Sequence, residues 1–396
     1  MPSLQQLSIA SKESIGLLPV ANPPDCSVPC LEVLDNDVPM QGGGFYNKNS
    51  ELQYAAMQRA LPLFDSTLRQ STTPVVISVV EYGCAQGANS IEPFQRVLSA
   101  IFFKRPAADT ISNEVNLIFT DRVGNDFTMV ANTMNNTQWF PTTRPGPKIF
   151  TSMVAQSFYK RVVPTRSVYL GFSLATLHHL ERYPTLNMSD GKEGSESNEE
   201  QALLKEQADR DLCKFLHLRA EEFRSDGTLV LSLVGQSSTG TPNYPGLVKS
   251  CREAMVSLVT ENRIPPDVAK AFRVPTYDRS LEDVETSLEK LQDLWRVEHI
   301  FEEEIIHPAY ETLVTMQPGS DSARASVDYA NTVVNWIIAV ISGYFVKALD
   351  VAGVNDPVEQ KNFLEAWSSL TKQTFLREHR NEKVACSFIY VKLVRI

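Results

Sequence analysis

Apolar positions along the chain alternate between helical spacing and short continuous runs. From Gln53 to Arg69 they recur at intervals of three and four residues, which indicates an amphipathic helix. The next run, PVVISVVE at 74–81, is rich in β-branched residues and is typical of a strand buried on both faces of a parallel sheet. A loop at 82–89 follows, and then a predicted helix with Ser90 as its cap and Pro93 in its first turn.

Four further apolar runs predict strands, at 115–120, 168–172, 229–234 and 385–394. Helical patterns separate the first three, most clearly at 211–223, and strands that alternate with helices favour right-handed crossovers. The sequence therefore predicts an α/β fold with a doubly wound, mostly parallel sheet of the Rossmann-like kind. The final run is predicted to form antiparallel edge strands.

The strand signal fades after residue 264, and helical patterns occupy 281–294, 327–349 and 360–375. Residues 265–376 are therefore predicted to form a helical cap over a sheet domain made of 53–264 and 377–396. Residues 1–52 contain several prolines and predict an N-terminal arm that closes over the site. The polar stretch at 187–201 predicts a mobile loop.

Composition narrows the class of protein. The 396 residues are 43% hydrophobic and 21% charged, which is ordinary for a folded enzyme. A net charge of -10 and a pI of about 5.3 would repel a phosphate backbone, so no nucleic-acid partner is expected. The start of the chain lacks a signal-peptide pattern, and the longest apolar stretch, 333–346, is too short to span a bilayer. We therefore expect a cytoplasmic protein without a membrane partner, and a buried helix at 333–346.

The six cysteines are scattered, as in proteins of a reducing compartment. Cys26 and Cys30 are the nearest pair, but no second pair of ligands follows at zinc-site spacing. No metal site is predicted.

Acidic and glycine residues follow the first predicted strand. Glu81 ends it, and Gly83 and Gly87 allow close approach of a ligand such as an adenosyl group, or simply serve the geometry of the turn. Asp121 ends the next predicted strand, where a carboxylate can accept both hydroxyls of a ribose or cap the following turn. Spacing alone leaves these alternatives open.

Six motifs in order resemble those of one family, the SABATH carboxyl methyltransferases, which methylate salicylate, jasmonate, indole acetate and related acids. The first, MQGGGFYNKNSELQ at 40–53, is three residues shorter than the family pattern. EYGCAQGANS at 81–90 and DRVGNDF at 121–127 are similar to the family's DLGCSSGPNT and DLPGNDF. The remaining motifs are SFYKRVVP at 157–164, FLHLRAEEFRSDGTLVLSLVG at 215–235 and FRVPTYDRSLEDV at 272–284.

The resemblance implies a class I fold that binds S-adenosylmethionine (SAM). It places Glu81 near the methionine end of SAM, Asp121 on the ribose, and Ser157 and Phe158 around the adenine. Arg122 replaces the family's Leu, and either stacks on the adenine or faces solvent. The implied cofactor residues are Tyr46, Ser50, Glu81, Gly83, Asn89, Asp121, Arg122, Ser157 and Phe158. Ser157 as a helix cap and Phe158 as a core residue are the structural alternatives.

The resemblance also implies which residues hold the substrate carboxylate. In the family, a glutamine of the first motif and the tryptophan of a YSLHWL segment do so, and Gln53 matches that glutamine. In ATLHHL at 175–180, His178 matches the family's histidine but His179 replaces the tryptophan. His179 could donate a hydrogen bond, gain charge and bind a dicarboxylate, act as a base for a phenol or amine, or merely pack. Gln53, His178 and His179 are the implied catalytic residues. Side chains of adjacent residues at a strand end are expected to diverge, which argues against a metal on the histidine pair.

These observations predict a SAM-dependent O-methyltransferase that converts a small mono- or dicarboxylic acid into its methyl ester. A carboxylate with a pKa near 4 is already ionised at pH 7, so no general base is required. Methylation of a phenol or nitrogen, and a non-catalytic SAM-binding scaffold, are the alternatives. The resemblance further implies a homodimer. The long arm and the insertions suggest a fungal enzyme of specialised metabolism.

Overall fold

The computed structural model describes residues 38–65, 76–103, 114–140, 146–184, 196–316 and 322–396. Most of the predicted arm, with Cys26 and Cys30, lies outside them. Within these ranges the strands are β1 Ile77–Tyr82, β2 Glu114–Asp121, β3 Lys148–Ala155, β4 Val168–Leu174, β5 Phe223–Val234, β6 Trp295–Ile306 and β7 Ala385–Arg395. The helices are α1 Phe45–Lys48, α2 Glu51–Ala60, α3 Ile91–Phe103, α4 Phe127–Asn135, α5 Glu196–Glu222, α6 Pro245–Thr260, α7 Pro266–Ala271, α8 Leu281–Glu289, α9 Ala309–Met316, α10 Ser322–Val351 and α11 Pro357–Glu378.

The strands form one sheet in the order β3-β2-β1-β4-β5-β7-β6. The first five strands are parallel, and β7 runs antiparallel to both β5 and β6. The predicted doubly wound, mostly parallel sheet is confirmed. The strand order reverses at β1, which pairs with β2 on one side and β4 on the other, so a crevice opens at the carboxyl ends of these strands.

The predicted strands are those that helices cover on both faces. Val79 and Val80 of β1 point to opposite faces and are both fully buried, in separate core clusters. Helix α2 precedes β1 as predicted, but it ends at Ala60, and a 3₁₀ turn continues to Phe64. Residues 66–75, the end of the predicted helix, lie outside the described ranges.

Three expectations about strands are wrong. β3 and β6 are absent from the sequence prediction, because both lie at sheet edges and carry exposed polar residues in place of a continuous apolar run. β7 is not an edge strand: it lies between β5 and β6, and every residue from Ala385 to Val394 is buried. Of the polar stretch at 187–201, residues 196–201 begin helix α5, and the others lie outside the described residues.

The predicted cap also needs correction. β6 belongs to the sheet although it falls within 265–376, and α8 packs on α5 beside the sheet. The layer over the crevice is built from α7, α9, α10 and α11, with α6 packed on α11. Helix α10 is long and apolar enough to cross a bilayer, but 72% of its most apolar window is buried inside the structure, as expected of a core helix.

Candidate active site

A cavity opens at the carboxyl ends of β1, β2 and β4, beneath the N-terminal segment and α10. Ten of the sequence-predicted site residues line it: Tyr46, Gln53, Glu81, Gly83, Asn89, Asp121, Arg122, Phe158, His178 and His179. One cavity thus brings together residues from five separate motifs.

Ser50 and Ser157 are placed differently from the expectation. Ser50 is buried behind the cavity, where its hydroxyl accepts a hydrogen bond from the side-chain amide of Asn89 at 3.1 Å. The Ser157 hydroxyl accepts the backbone N–H of Tyr159 at 3.2 Å within a turn, and no helix follows it among the described residues before β4, so the capping alternative is wrong as well. Neither serine is among the residues that line the cavity.

The loop after β1 requires glycine at Gly83. Its φ of 92° lies in the left-handed region, and a Cβ there would lie 2.6 Å from Cγ2 of Thr176. The Gly83 N–H donates to the carbonyl of Thr120 at 2.9 Å, which holds the loop against the end of β2. The loop therefore presents its backbone to the cavity at close range.

Asp121 is oriented at the end of β2 by two backbone groups. Its Oδ2 accepts the N–H of Ala85 at 2.7 Å, and its Oδ1 accepts the N–H of Arg122 at 2.8 Å. A carboxylate oxygen has two lone pairs, so these contacts fix the carboxylate and still leave acceptor capacity toward the cavity. Asp121 can therefore accept both backbone hydrogen bonds and still bind the hydroxyls of a ribose.

Glu81 is the second carboxyl group at this end of the cavity. It is 6% exposed, and its Oε2 has no hydrogen-bond partner. Burial raises the pKa of Glu81 to about 8, against the hydrogen bond from Ser90, and the nearby Asp121 charge raises it further. A buried carboxyl oxygen that has no partner among the described residues suits a cationic ligand, and SAM carries both an ammonium and a sulfonium. The residues at this end therefore fit SAM.

The N-terminal segment is tied to the glycine loop by the buried Gln86. Its Nε2 donates to the carbonyl of Gln41 at 2.7 Å, and its Oε1 accepts the N–H of Asn47 at 3.3 Å. The N–H of Gln41 donates to the carbonyl of Ala339 in α10 at 3.1 Å. The segment from Val38 onward thus closes the cavity between the loop and the cap.

Gln53 lines the cavity from α2, and Trp336 of α10 holds its side chain. The indole Nε1 of Trp336 donates to Oε1 of Gln53 at 2.8 Å. Trp336 is itself held edge-to-face by Tyr244, at 5.2 Å between ring centroids, and by His307 at 5.8 Å. The position of the Gln53 amide is therefore set by aromatic residues outside the cavity.

His178 and His179 follow β4 and are both 6% exposed. Burial lowers the pKa of His178 to about 3, with a contribution from Arg279. Burial, His178 and Arg122 hold the pKa of His179 well below its usual range. In the empty site these shifts favour neutral rings at pH 7, which argues against the role in which His179 binds a dicarboxylate as a cation. The centroids of the two rings lie 4.3 Å apart. The expectation that the two side chains diverge is therefore wrong, because the turn after β4 brings them together.

Several residues of the site were not predicted from the sequence. Trp336, Val340 and Tyr344 recur every fourth residue on one face of α10, toward the cavity and its immediate surroundings. The only signal in the sequence is that spacing, and it is hidden because residues 333–346 of α10 are apolar at nearly every position. Within the described ranges, no three His, Cys, Asp or Glu side chains are grouped to hold a metal ion.

The comparisons with known proteins agree with this geometry. The sequence model of the SAM dependent carboxyl methyltransferase family matches residues 36–388. Methyltransferase FUS9 of Gibberella moniliformis is 41% identical over 369 residues, which cover 91% of this chain and 98% of that protein. O-methyltransferase acrG of Aspergillus aculeatus is 39% identical over 386 residues, or 92% of this chain and 99% of that protein.

Among solved structures, loganic acid methyltransferase with S-adenosylhomocysteine (SAH) superimposes with a TM-score of 0.66. The alignment covers 90% of this chain and 98% of that one, at 20% sequence identity. At that identity the likeness establishes the fold, and it is the fold predicted from the sequence.

Proposed function

This chain belongs to the SAM dependent carboxyl methyltransferases, and from that premise we propose that it methylates the carboxylate of a small organic acid to form a methyl ester. It is a SAM-dependent methyltransferase of the SABATH family. The proposal concerns the atom that receives the methyl group. That atom is a carboxylate oxygen, in preference to a phenol oxygen or a nitrogen.

The observation that carries the proposal is the polarity of Gln53. An indole N–H can only donate, so the atom of Gln53 that faces Trp336 must be the amide oxygen. The amide nitrogen, which can only donate, is the polar atom that Gln53 then offers to the cavity. A carboxylate only accepts, so it complements this group, whereas a phenol or an amine brings a proton that must also find an acceptor.

The expected chemistry places few demands on the protein. SAM, when bound, supplies an electrophilic methyl group on a sulfonium. Glu81 and Asp121 would hold the cofactor, and Gln53 with the histidine pair would hold the acid, so that the nucleophilic oxygen lies in line with the methyl group at about 3–3.5 Å. The closed N-terminal segment excludes water from the desolvated carboxylate.

The first experiment is calorimetry with SAM and SAH, followed by product analysis by mass spectrometry with a panel of acceptors. The panel pairs each acid with the alcohol, phenol and amine of the same carbon skeleton, across aliphatic, aromatic and dicarboxylic acids. We expect SAM and SAH to bind. We also expect acids to yield methyl esters, and the paired alcohols, phenols and amines to yield no methylated product.

Transfer only to phenols or amines, with none to acids, would contradict the carboxylate proposal and indicate that neutral His179 serves as a base. Binding of SAM and SAH without transfer to any compound of the panel would favour the non-catalytic scaffold alternative. Failure of folded protein to bind either one would contradict the proposed roles of Glu81 and Asp121. The homodimer, the cytoplasmic location and a place in specialised metabolism stay predictions.

A further inference from the structure

Neutral His179 can present either a hydrogen-bond donor or an acceptor to a carboxylate. A neutral imidazole carries one hydrogen, so either Nδ1 or Nε2 is the donor and the other nitrogen is an acceptor. Only a ring with its hydrogen on the nitrogen that faces the substrate attracts a carboxylate. The tautomer therefore decides whether His179 favours or repels the acid.

The Nδ1 side of the ring faces Tyr344 of α10. The Tyr344 hydroxyl lies 3.4 Å from Nδ1 of His179, a long hydrogen bond, and the two rings are nearly parallel at 15°. Tyr344 is 3% exposed. The other ring nitrogen, Nε2, has no hydrogen-bond partner among the described residues, and His179 lines the cavity.

Arg122 limits what Tyr344 can do. Its guanidinium donates to the carbonyl of Val38 at 3.2 Å, and its positive charge acts to lower the pKa of both Tyr344 and His179. This charge favours a Tyr344 hydroxyl whose oxygen faces Arg122 and whose hydrogen points away from it. Within the described residues, Nδ1 of His179 is the hydrogen-bond partner of this hydroxyl.

Two physical effects favour the hydrogen bond from Tyr344 to Nδ1. If Nδ1 carried the hydrogen, the buried hydroxyl hydrogen would be left without an acceptor, at a cost of about 1–3 kcal/mol. The positive charge of Arg122 on the same side also favours the imidazole lone pair, in place of an N–H, at Nδ1. Both effects place the ring hydrogen on Nε2.

We propose that Arg122 and Tyr344 are positioning residues that fix His179 as the Nε2–H tautomer, so that this ring donates a second hydrogen bond to the substrate carboxylate. The positive charge of Arg122 favours a Tyr344 hydroxyl that donates to His179 Nδ1, and His179 then donates from Nε2 into the cavity. Gln53 and His179 then form a pair of donors, each set by a residue of α10. This inference rests on the proposed carboxylate function for its purpose, but the tautomer can be measured without a substrate.

The deciding experiment is nitrogen NMR of the full chain with SAH, labelled with ¹⁵N at its six histidines. Two-bond ¹H–¹⁵N correlations distinguish the tautomers, and loss of signals in His179→Gln assigns His179. We expect the Nε2–H form in the wild type and at least a tenfold larger share of the Nδ1–H form in Tyr344→Phe. Tyr310→Phe is the matched control, since Tyr310 lies on α9 outside the cavity.

Kinetics with the best methyl acceptor of the acid panel test the consequence. Tyr344→Phe should raise the KM for the acid about tenfold and leave the Kd for SAH within twofold, because one hydrogen bond to an anion is lost at the acid end only. In a His179→Trp background the same change should have less than a twofold effect, since an indole nitrogen always carries its hydrogen.

An Nδ1–H tautomer in the wild type, or a tautomer that Tyr344→Phe leaves unchanged, would overturn the inference. A folded Tyr344→Phe protein whose acid KM equals that of Tyr310→Phe would do the same. If the tautomer behaves as expected but no acid is methylated, the positioning by Arg122 and Tyr344 stands and the proposed function fails.

Discussion

Two groups of residues that line the active-site cavity differ in their chemistry. Glu81 and Asp121, which we propose for the cofactor end, carry carboxyl groups that can accept, whereas Gln53 and His179, which we propose for the acid end, offer donors. The two carboxyl groups lie at the ends of neighbouring strands, where backbone N–H groups fix that of Asp121. The donors are fixed by side chains of α10, far away in sequence.

This difference shows how one cavity can bind a cation and an anion side by side. A carboxylate always accepts, so strand ends and backbone N–H groups suffice to place it. An amide or an imidazole can present either a donor or an acceptor, so its polarity needs a second residue to define it. The predictions below test the two ends separately.

The largest effect is expected at the cofactor end. Asp121→Ala should weaken SAH binding by about 100-fold or more, because two charge-assisted hydrogen bonds to the ribose would be lost. Asp121→Asn keeps an oxygen for the Ala85 N–H and should lose less. Calorimetry with SAH measures both variants, and a change below fivefold in Asp121→Ala would remove Asp121 from the cofactor site.

The next largest effect is expected at the acid end. Gln53→Glu keeps an acceptor for the Trp336 indole but sets a negative charge against the substrate, so the acid KM should rise about 50-fold or more. Trp336→Phe removes the indole donor and should raise the acid KM about tenfold. Steady-state kinetics and SAH calorimetry separate the two ends: SAH affinity should stay within threefold in both variants.

Gln373→Glu makes the same charge change on the exposed face of α11 and serves as the control. An acid KM in Gln53→Glu equal to that of this control would show that the acid binds elsewhere.

A smaller effect is expected from the pKa of Glu81, which burial raises to about 8. Below this pH the empty site holds the proton, and a cationic ligand favours its release, so SAM affinity should rise about tenfold from pH 6.5 to 8 and then level off. Glu81→Gln should bind more weakly without this rise, after subtraction of the titration of SAM itself, which both proteins share. Calorimetry in buffers of different ionisation enthalpy should detect a proton released from Glu81 in the wild type and not in Glu81→Gln.

The raised pKa of Glu81 also affects the stability of the protein without bound SAM. The unfolded chain ionises Glu81 above its ordinary pKa of 4.5, while the folded empty protein holds the proton up to about 8. The folded state binds more protons in this window, so Glu81 makes the empty protein less stable as the pH rises through it, and Glu81→Gln should reduce that loss. Thermal unfolding from pH 5 to 8 measures it.

The smallest effect is expected from the histidine pair. Burial lowers the pKa of His178 to about 3 and holds that of His179 well below its usual range. Neither ring should titrate between pH 6 and 8, so kcat with saturating SAM and acid should vary less than twofold. If kcat falls as the pH rises through about 6.5, one ring is charged in the complex. That result would support the binding of a dicarboxylate by His179.

The sheet shows how far the sequence predicts this fold. β1, β2, β4 and β5 were predicted because helices cover both of their faces, which requires continuous apolar runs. β3 and β6 were missed because an edge strand keeps exposed polar positions. β7 has the apolar run of an interior strand, but a run alone does not state which strands lie on either side.

The sequence by itself determined that the residues we propose for the cofactor end lie together. Glu81, Gly83 and Asp121 lie at or just beyond the ends of two buried strands, and parallel strands bring such ends to the same edge of a sheet. The tertiary structure alone decided the acid end. Trp336 sets the polarity of Gln53 across 283 residues, and Tyr344 contacts His179 across 165. A pattern along the chain records which residues are buried, but the direction of a hydrogen bond depends on which partner the folded chain brings to each atom.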